Sequence, residues 1–169
     1  TRPTTDRVRE ALFSRIESVV DLSGARVLDL YAGSGALGLE AASRGARSVW
    51  CVESDPRTAA LITRNARLLN LGGVEVTTDR VERALAGGSH AGAYDVVLAD
   101  PPYPMSEEDV TACLTALVTH EWLANESIVV IERSSRSPEP TWPTGLEYVR
   151  SRAYGETALH EAIGWTDRV

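Results

Sequence analysis

Asp100, Pro101, Pro102 and Tyr103 put a carboxylate, a rigid pair of imino acids and a phenol ring into one short segment. They follow an apolar run, Tyr94 to Ala99, that reads as a buried strand. The tetrapeptide therefore falls at a strand's C-terminal end, where open α/β sheets bind their ligands. Neither proline can donate a backbone hydrogen bond and both have φ fixed, so the pair stops the strand and turns the Asp100 carboxylate and the Pro101 carbonyl toward one cavity. Two acceptors beside a flat ring suit a planar base that carries an exocyclic amino group. Asp and Pro are also common turn formers, and taken alone the segment reads equally well as a strand-ending turn.

A glycine-rich segment upstream shifts that balance. Gly33, Gly35 and Gly38 fit G-x-G-x-x-G between a strand and a helix, and Glu53 ends the next strand. By itself this spacing suggests a dinucleotide. Asp29, within the first strand, argues against one, and a regular pleat is expected to turn it away from Val27. A carboxylate that reaches the loop would oppose a pyrophosphate at the helix N-terminus and attract a cation, by roughly 4 kcal/mol at about 4 Å and an effective dielectric near 20. S-adenosylmethionine (SAM) has no phosphate and carries both an ammonium and a sulfonium. Glu53 suits ribose hydroxyls, and Asp79, after the third strand, suits an adenine amino group with the Arg80 and Val81 amides nearby. The same residues have plainer readings: Asp79 as a helix N-cap, Glu53 as a solvated strand end and Tyr103 as a half-buried core aromatic. Four acids, Asp29, Glu53, Asp79 and Asp100, at the ends of strands one to four nonetheless describe one ligand crevice.

The elements that must position these residues alternate. Val8, Leu12, Ile16, Val19 and Val20 recur at helical spacing over residues 5–20. Strands are expected at Arg26 to Tyr31, Ser48 to Glu53, Val74 to Thr77, Tyr94 to Ala99 and Ser127 to Glu132. Between them lie a helix from the glycine loop to about Gly45, one opened by Asp55 and Pro56 and stopped at Gly72-Gly73, one started by Asp79 and Glu82, and one from Ser106 to about Val118. Strands that alternate with helices and run near-continuously apolar predict a parallel sheet covered on both faces. Leu146 to Tyr154 and Thr157 to Trp165, around Gly155-Glu156, predict an antiparallel hairpin that closes it.

At 169 residues, 43% apolar and 24% charged, the chain is expected to form one domain over residues 1–169, a helical segment at 1–22 and a core at 23–169. No apolar stretch reaches the roughly 20 residues needed to span a bilayer and no signal sequence opens the chain, so a cytoplasmic protein is expected. The chain opens on Thr1, which leads us to expect a segment upstream. Its net charge of -7 disfavours nucleic acid, yet Arg2, Arg7, Arg9 and Arg15 crowd the start. All 17 basic residues are Arg, a bias that points to a GC-rich coding sequence more than to phosphate contacts. Cys51 and Cys113 lie in apolar runs without Cys-x-x-Cys spacing, so neither a disulfide framework nor a metal site is expected. His90, His120 and His160 are scattered and are not read as catalytic.

These residues resemble the motifs of the Rossmann-like SAM-dependent methyltransferases. Val27 to Gly35 resembles the first motif, Glu53 the second, Asp79 the third, and Asp100 to Tyr103 the fourth, the signature of enzymes that methylate exocyclic amino groups of nucleic-acid bases. Arg2 to Phe13 is similar to the N-terminal signature of bacterial 16S ribosomal RNA guanine-N2 methyltransferases, the RsmD family. The likeness covers nearly the whole chain. It implies a doubly wound, mostly parallel, seven-stranded sheet with a C-terminal antiparallel hairpin and helices on both faces. SAM would be held by Asp29, Tyr31, Ala32, Gly33, Ser34, Gly35, Gly38, Glu53, Ser54, Asp79, Arg80 and Val81. Asp100, Pro101, Pro102 and Tyr103 would form the catalytic set, Tyr103 stacking on the extruded base, with Arg2 and Arg7 as further RNA contacts. The implied substrate is a guanine of small-subunit rRNA within an assembled or partly assembled particle, and the enzyme a monomer. Family members carry a basic segment ahead of the position of Arg2-Pro3, which this chain lacks. Residue spacing alone does not separate guanine N2 from adenine N6. A nucleotide-dependent oxidoreductase, for which the chain lacks a substrate domain, and an inactive ribosome-binding module, disfavoured by the intact acids, are the alternatives from other classes.

Overall fold

The computed structural model describes residues 5–89 and 91–167. Helix α1 (Asp6–Val19) starts where Thr5 accepts the Val8 N–H at 3.3 Å. There follow β1 (Arg26–Leu30), α2 (Ala36–Ser43), β2 (Ser48–Glu53), α3 (Pro56–Leu68), β3 (Val74–Thr78), α4 (Val81–Ala86), β4 (Tyr94–Ala99), α5 (Glu107–Thr119), β5 (Leu123–Ser134), β6 (Leu146–Tyr154) and β7 (Thr157–Gly164). The seven strands form one sheet in the order β3-β2-β1-β4-β5-β7-β6. β1 to β5 pair in parallel, and β7 lies antiparallel between β5 and the edge strand β6. The order in which strands are added reverses between the parallel β1 and β4, the switch point at which a crevice opens beyond the strand ends.

Both faces are covered, as strands apolar on both sides require. On one face Leu12, Phe13 and Ile16 of α1, Leu37 of α2 and Ile62 of α3 pack on Val27, Val49 and Val96. On the other, Val81 and Leu85 of α4 and Val110, Leu114 and Leu117 of α5 pack on Leu28, Leu30 and Val97, with Trp50, Tyr94 and Trp122 clustered at ring-centroid distances of 5.4 to 6.4 Å. Helix α1 is fastened from outside as well. The Arg44 guanidinium lies over the Phe13 ring and reaches Glu17 at 2.6 Å, Glu40 at 2.8 Å and Glu10 at 2.9 Å, while Arg15 reaches the buried Glu161 of β7 at 2.8 Å.

Three local expectations change. Val19, the last residue of α1, is 43% exposed, while Phe13, outside the expected stripe, is fully buried beside Val8, Leu12 and Ile16. β5 begins at Leu123 rather than Ser127; a pairing shift opposite Tyr94/Val96 and a positive φ at Glu126 interrupt the alternation there. Helix α4 is capped by Arg80, with no side-chain cap, instead of by Asp79.

Candidate active site

The turn from β1 into α2 is built on positive φ angles at Tyr31 (56°), Gly33 (57°) and Gly35 (80°). The Ala32 N–H donates to the Val52 carbonyl at 3.0 Å and the Gly35 N–H to the Ala32 carbonyl at 2.8 Å, which fixes the turn between two strands. A Cβ on Gly33 would stand in open space beside the cavity, so its absence keeps the backbone approachable. Gly35 and Gly38 differ from Gly33. Added Cβ atoms there would lie 2.8 Å from Ile62 and 2.8 Å from the Cys51 sulfur, so these two glycines let α2 sit close on its neighbours and do not face the cavity. Helix α2 has no N-cap side chain and no acid in its first turn; of its first-turn amides, the Gly38 N–H is taken from below by Asp29 of β1.

Asp29 is moved from the cavity wall to the layer beneath it. It shares the face of Val27, as residues two apart on a strand do, and is 1% exposed. Its carboxylate accepts the Gly38 N–H at 2.9 Å and lies 4.0 Å from the Cys51 sulfur. Burial raises its pKa to about 7; the Gly38 amide opposes that rise and the nearby Glu53 adds to it. Asp29 therefore holds α2 against β1.

Glu53 is bridged across two turns. One carboxylate oxygen accepts the Gly33 N–H and the other the Asp55 N–H, each at 2.9 Å. A carboxylate offers about four lone-pair sites, so two remain for a ligand. Asp55 caps α3 through the Thr58 N–H at 2.9 Å and hydroxyl at 2.7 Å, and these bonds lower its pKa. Asp79 accepts the N–H of the adjacent Arg80 at 2.8 Å and lies 3.7 Å from the Arg83 guanidinium.

At the end of β4 the Asp100 N–H donates to the Leu30 carbonyl at 3.3 Å, holding the tetrapeptide beside β1. Pro101 is buried, Pro102 is exposed and Tyr103 is 44% exposed. The Met105 N–H closes a turn on the Pro102 carbonyl at 3.0 Å, and the Tyr31 hydroxyl donates to the Met105 sulfur at 3.7 Å. Burial pushes the Tyr31 phenol well above its ordinary range. Behind it, burial pushes the Cys113 thiol up to about 11.

These segments enclose a cavity of about 400 Å³. Of the predicted residues, Tyr31, Gly33, Glu53, Ser54, Arg80, Val81, Asp100 and Pro102 line it. Asp55, Thr58, Glu82 and Met105 also line it; in the sequence Asp55 and Glu82 mark helix starts, and nothing about Thr58 or Met105 points to the cavity. Ala32 and Ser34 lie in the turn, Asp79 borders Arg80, and Tyr103 follows Pro102. Arg7 is exposed in the first turn of α1, and Arg2 lies outside the described residues. The described residues contain no group of His, Cys, Asp and Glu that could hold a metal ion and no helix long and apolar enough to cross a membrane.

Residues 1–163 match the family model described as Conserved hypothetical protein 95. Ribosomal RNA small subunit methyltransferase D of Escherichia coli is 34% identical over 170 residues, covering 98% of this chain and 83% of that one. The chain belongs to the RsmD family of SAM-dependent methyltransferases. A putative rRNA methyltransferase of Bacillus subtilis is 34% identical over 161 residues, covering 94% and 85%. The solved structure of a putative methyltransferase from Escherichia coli superposes with a TM-score of 0.86 at 30% identity, over 98% of this chain and 89% of that one. RsmD membership sets aside the oxidoreductase reading of the glycine loop, and the seven-stranded fold with its C-terminal hairpin agrees with it.

Proposed function

We propose that this chain transfers a methyl group to N2 of a guanine in 16S rRNA, acting in the cytoplasm as a monomer on an assembled or partly assembled small ribosomal subunit. The observation that carries this reading is that Asp100 and Pro102 line the same cavity as Gly33 and Glu53, so a base-binding signature and a nucleoside-binding acid face one space.

The cavity fits SAM. Its volume lies in the range of small-ligand sites, the Gly33 backbone opens onto it, and Glu53 keeps acceptor capacity for ribose hydroxyls. Arg80 and Val81 would border the adenine, and the start of α2, whose N-cap Gly35 has no side chain, suits a carboxylate group at the amides ahead of Gly38. When bound, SAM supplies a methyl group activated by its sulfonium. The chain's own residues do the rest. An exocyclic amine is a weak nucleophile because its lone pair is delocalised into the ring. Asp100 and the Pro101 carbonyl accept its two N–H bonds and turn the lone pair toward the cavity, so positioning and electrostatics supply most of the rate. Tyr103 stacks on the extruded base, a contact worth roughly 1 to 3 kcal/mol that offsets part of the unstacking cost. Arg7 is the described residue of the Arg-rich start that would meet phosphate.

The test is transfer of a labelled methyl group to undermethylated small subunits and to free 16S rRNA, followed by digestion to nucleosides. N2-methylguanosine is expected, formed on the subunit. N6-methyladenosine would overturn the base assignment, and no transfer would overturn the activity.

A further inference from the structure

Arg133 stands near the C-terminal end of β5 and is 1% exposed, among the largest fully buried side chains of the described residues. Its Nη2 donates to the Met105 carbonyl at 3.0 Å and to Glu107 at 2.7 Å. Among the described residues its Nε and Nη1 have no hydrogen-bond partner. Glu107 is itself 43% exposed.

Stability alone is a poor account of this arrangement. A buried guanidinium bears a desolvation penalty of several kcal/mol, and well-packed apolar side chains commonly match or exceed buried ion pairs in stability. What an apolar residue cannot supply is a donor aimed at the Met105 carbonyl. That carbonyl ends the segment that starts at Asp100. The segment is fixed at its start by the Asp100 N–H on Leu30 and is folded by the turn from Pro102 to Met105. Its far end is fixed by Arg133, which grips residues on both sides of Ser106, the N-cap of α5 that accepts the Asp109 N–H at 3.1 Å.

We propose that Arg133 is a positioning residue for methyl transfer: by tying the Met105 carbonyl and Glu107 to β5, it sets the aim of Asp100, Pro101 and Tyr103 at the base. It touches neither base nor cofactor and acts through the backbone of the loop. The inference rests on the activity proposed above, and the wild-type arm of the experiment separates the two.

Arg133→Met keeps the stem's volume and removes the donors, whereas Arg133→Lys keeps a cation but cannot reproduce the planar fork. Each is compared with wild type for kcat and KM on undermethylated small subunits, and for SAM affinity by calorimetry. The expected result is a kcat lowered about 10- to 100-fold in Arg133→Met and by an intermediate factor in Arg133→Lys, as displaced reacting groups cost, with SAM affinity within about twofold. Wild-type kcat in Arg133→Met, or parallel losses of kcat and SAM affinity in both variants, would overturn it. If Arg133→Met does not fold, Arg133→Lys decides alone: reduced kcat at unchanged SAM affinity supports the role, and wild-type kcat removes it. Absence of transfer by wild type would instead remove the proposed activity.

Discussion

The two halves of the crevice are built differently. At the ends of β1 to β3, carboxylates are spent on backbone amides: Asp29 on Gly38, Glu53 on Gly33 and Asp55, Asp79 on Arg80. At the end of β4 a loop spans from Asp100 to Ser106, and its ties include a strand-end hydrogen bond, an internal turn, the Tyr31 hydroxyl on the Met105 sulfur and the Arg133 grip. The first half is a preformed seat whose acids shape the chain before any ligand arrives. The second is a short arm whose aim depends on how its ends are anchored. Damage to the seat should therefore appear in cofactor affinity, and damage to the arm in the rate of transfer.

Asp100→Ala gives the sharpest test of that division. Transfer is expected to fall about a thousandfold, as loss of one aligned electrostatic contact commonly costs, while SAM binds within about twofold of wild type. Equal losses of both would erase the distinction between seat and arm. Asp29→Asn probes the layer beneath the seat through pH. The native carboxyl keeps its proton up to about pH 7 while the unfolded chain releases it near 3.8, so Asp29 makes stability fall as pH rises through that window. At about 1.4 kcal/mol per pKa unit the ceiling of this loss is about 4 kcal/mol, and Asn should flatten the slope in denaturant titrations run from pH 4 to 8. Identical slopes in the two proteins would contradict the buried placement of Asp29. Glu53→Ala should weaken SAM binding roughly 10- to 100-fold, the cost of hydrogen bonds to a charged acceptor, with kcat at saturating SAM changed far less; calorimetry beside steady-state rates would detect the reverse pattern. Tyr103→Ala should raise KM for the small subunit about tenfold through lost stacking and leave SAM affinity alone, which the same pair of measurements checks.

Most of the parallel core was legible because its boundaries are chemical. Asp55 followed by Pro56, Gly72-Gly73 and the Pro101-Pro102 pair each stop or start an element by constraints internal to one or two residues. The start of β5 falls four residues ahead of the expected one because Asn125 and Glu126 interrupt its alternation, and β4 pairs on either side of them, at Leu123 and from Ile128 on. At the site, Glu53, Asp100 and Gly33, singled out by type and spacing, line one space. The same signals could not tell which glycines face that space and which face a neighbour, since the sequence shows neither the left-handed backbone of Gly33 nor the Cys51 sulfur that lies against Gly38. Arg133 went unread for a related reason: a single Arg after an apolar run looks like the strand's polar exit. Its partner carbonyl is 28 residues away along the chain.

The two cysteines turn the same division into something that can be watched. Cys51 lies under Gly38 in the seat, and Cys113 lies on α5 behind Tyr31 at the arm's side; both are free and buried, and burial holds both thiols protonated. A thiol reagent can reach either sulfur only when the structure around it opens, so labelling rates of the unmodified protein report local unfolding at each half separately. Bound SAM should slow the reaction of Cys51 more than that of Cys113.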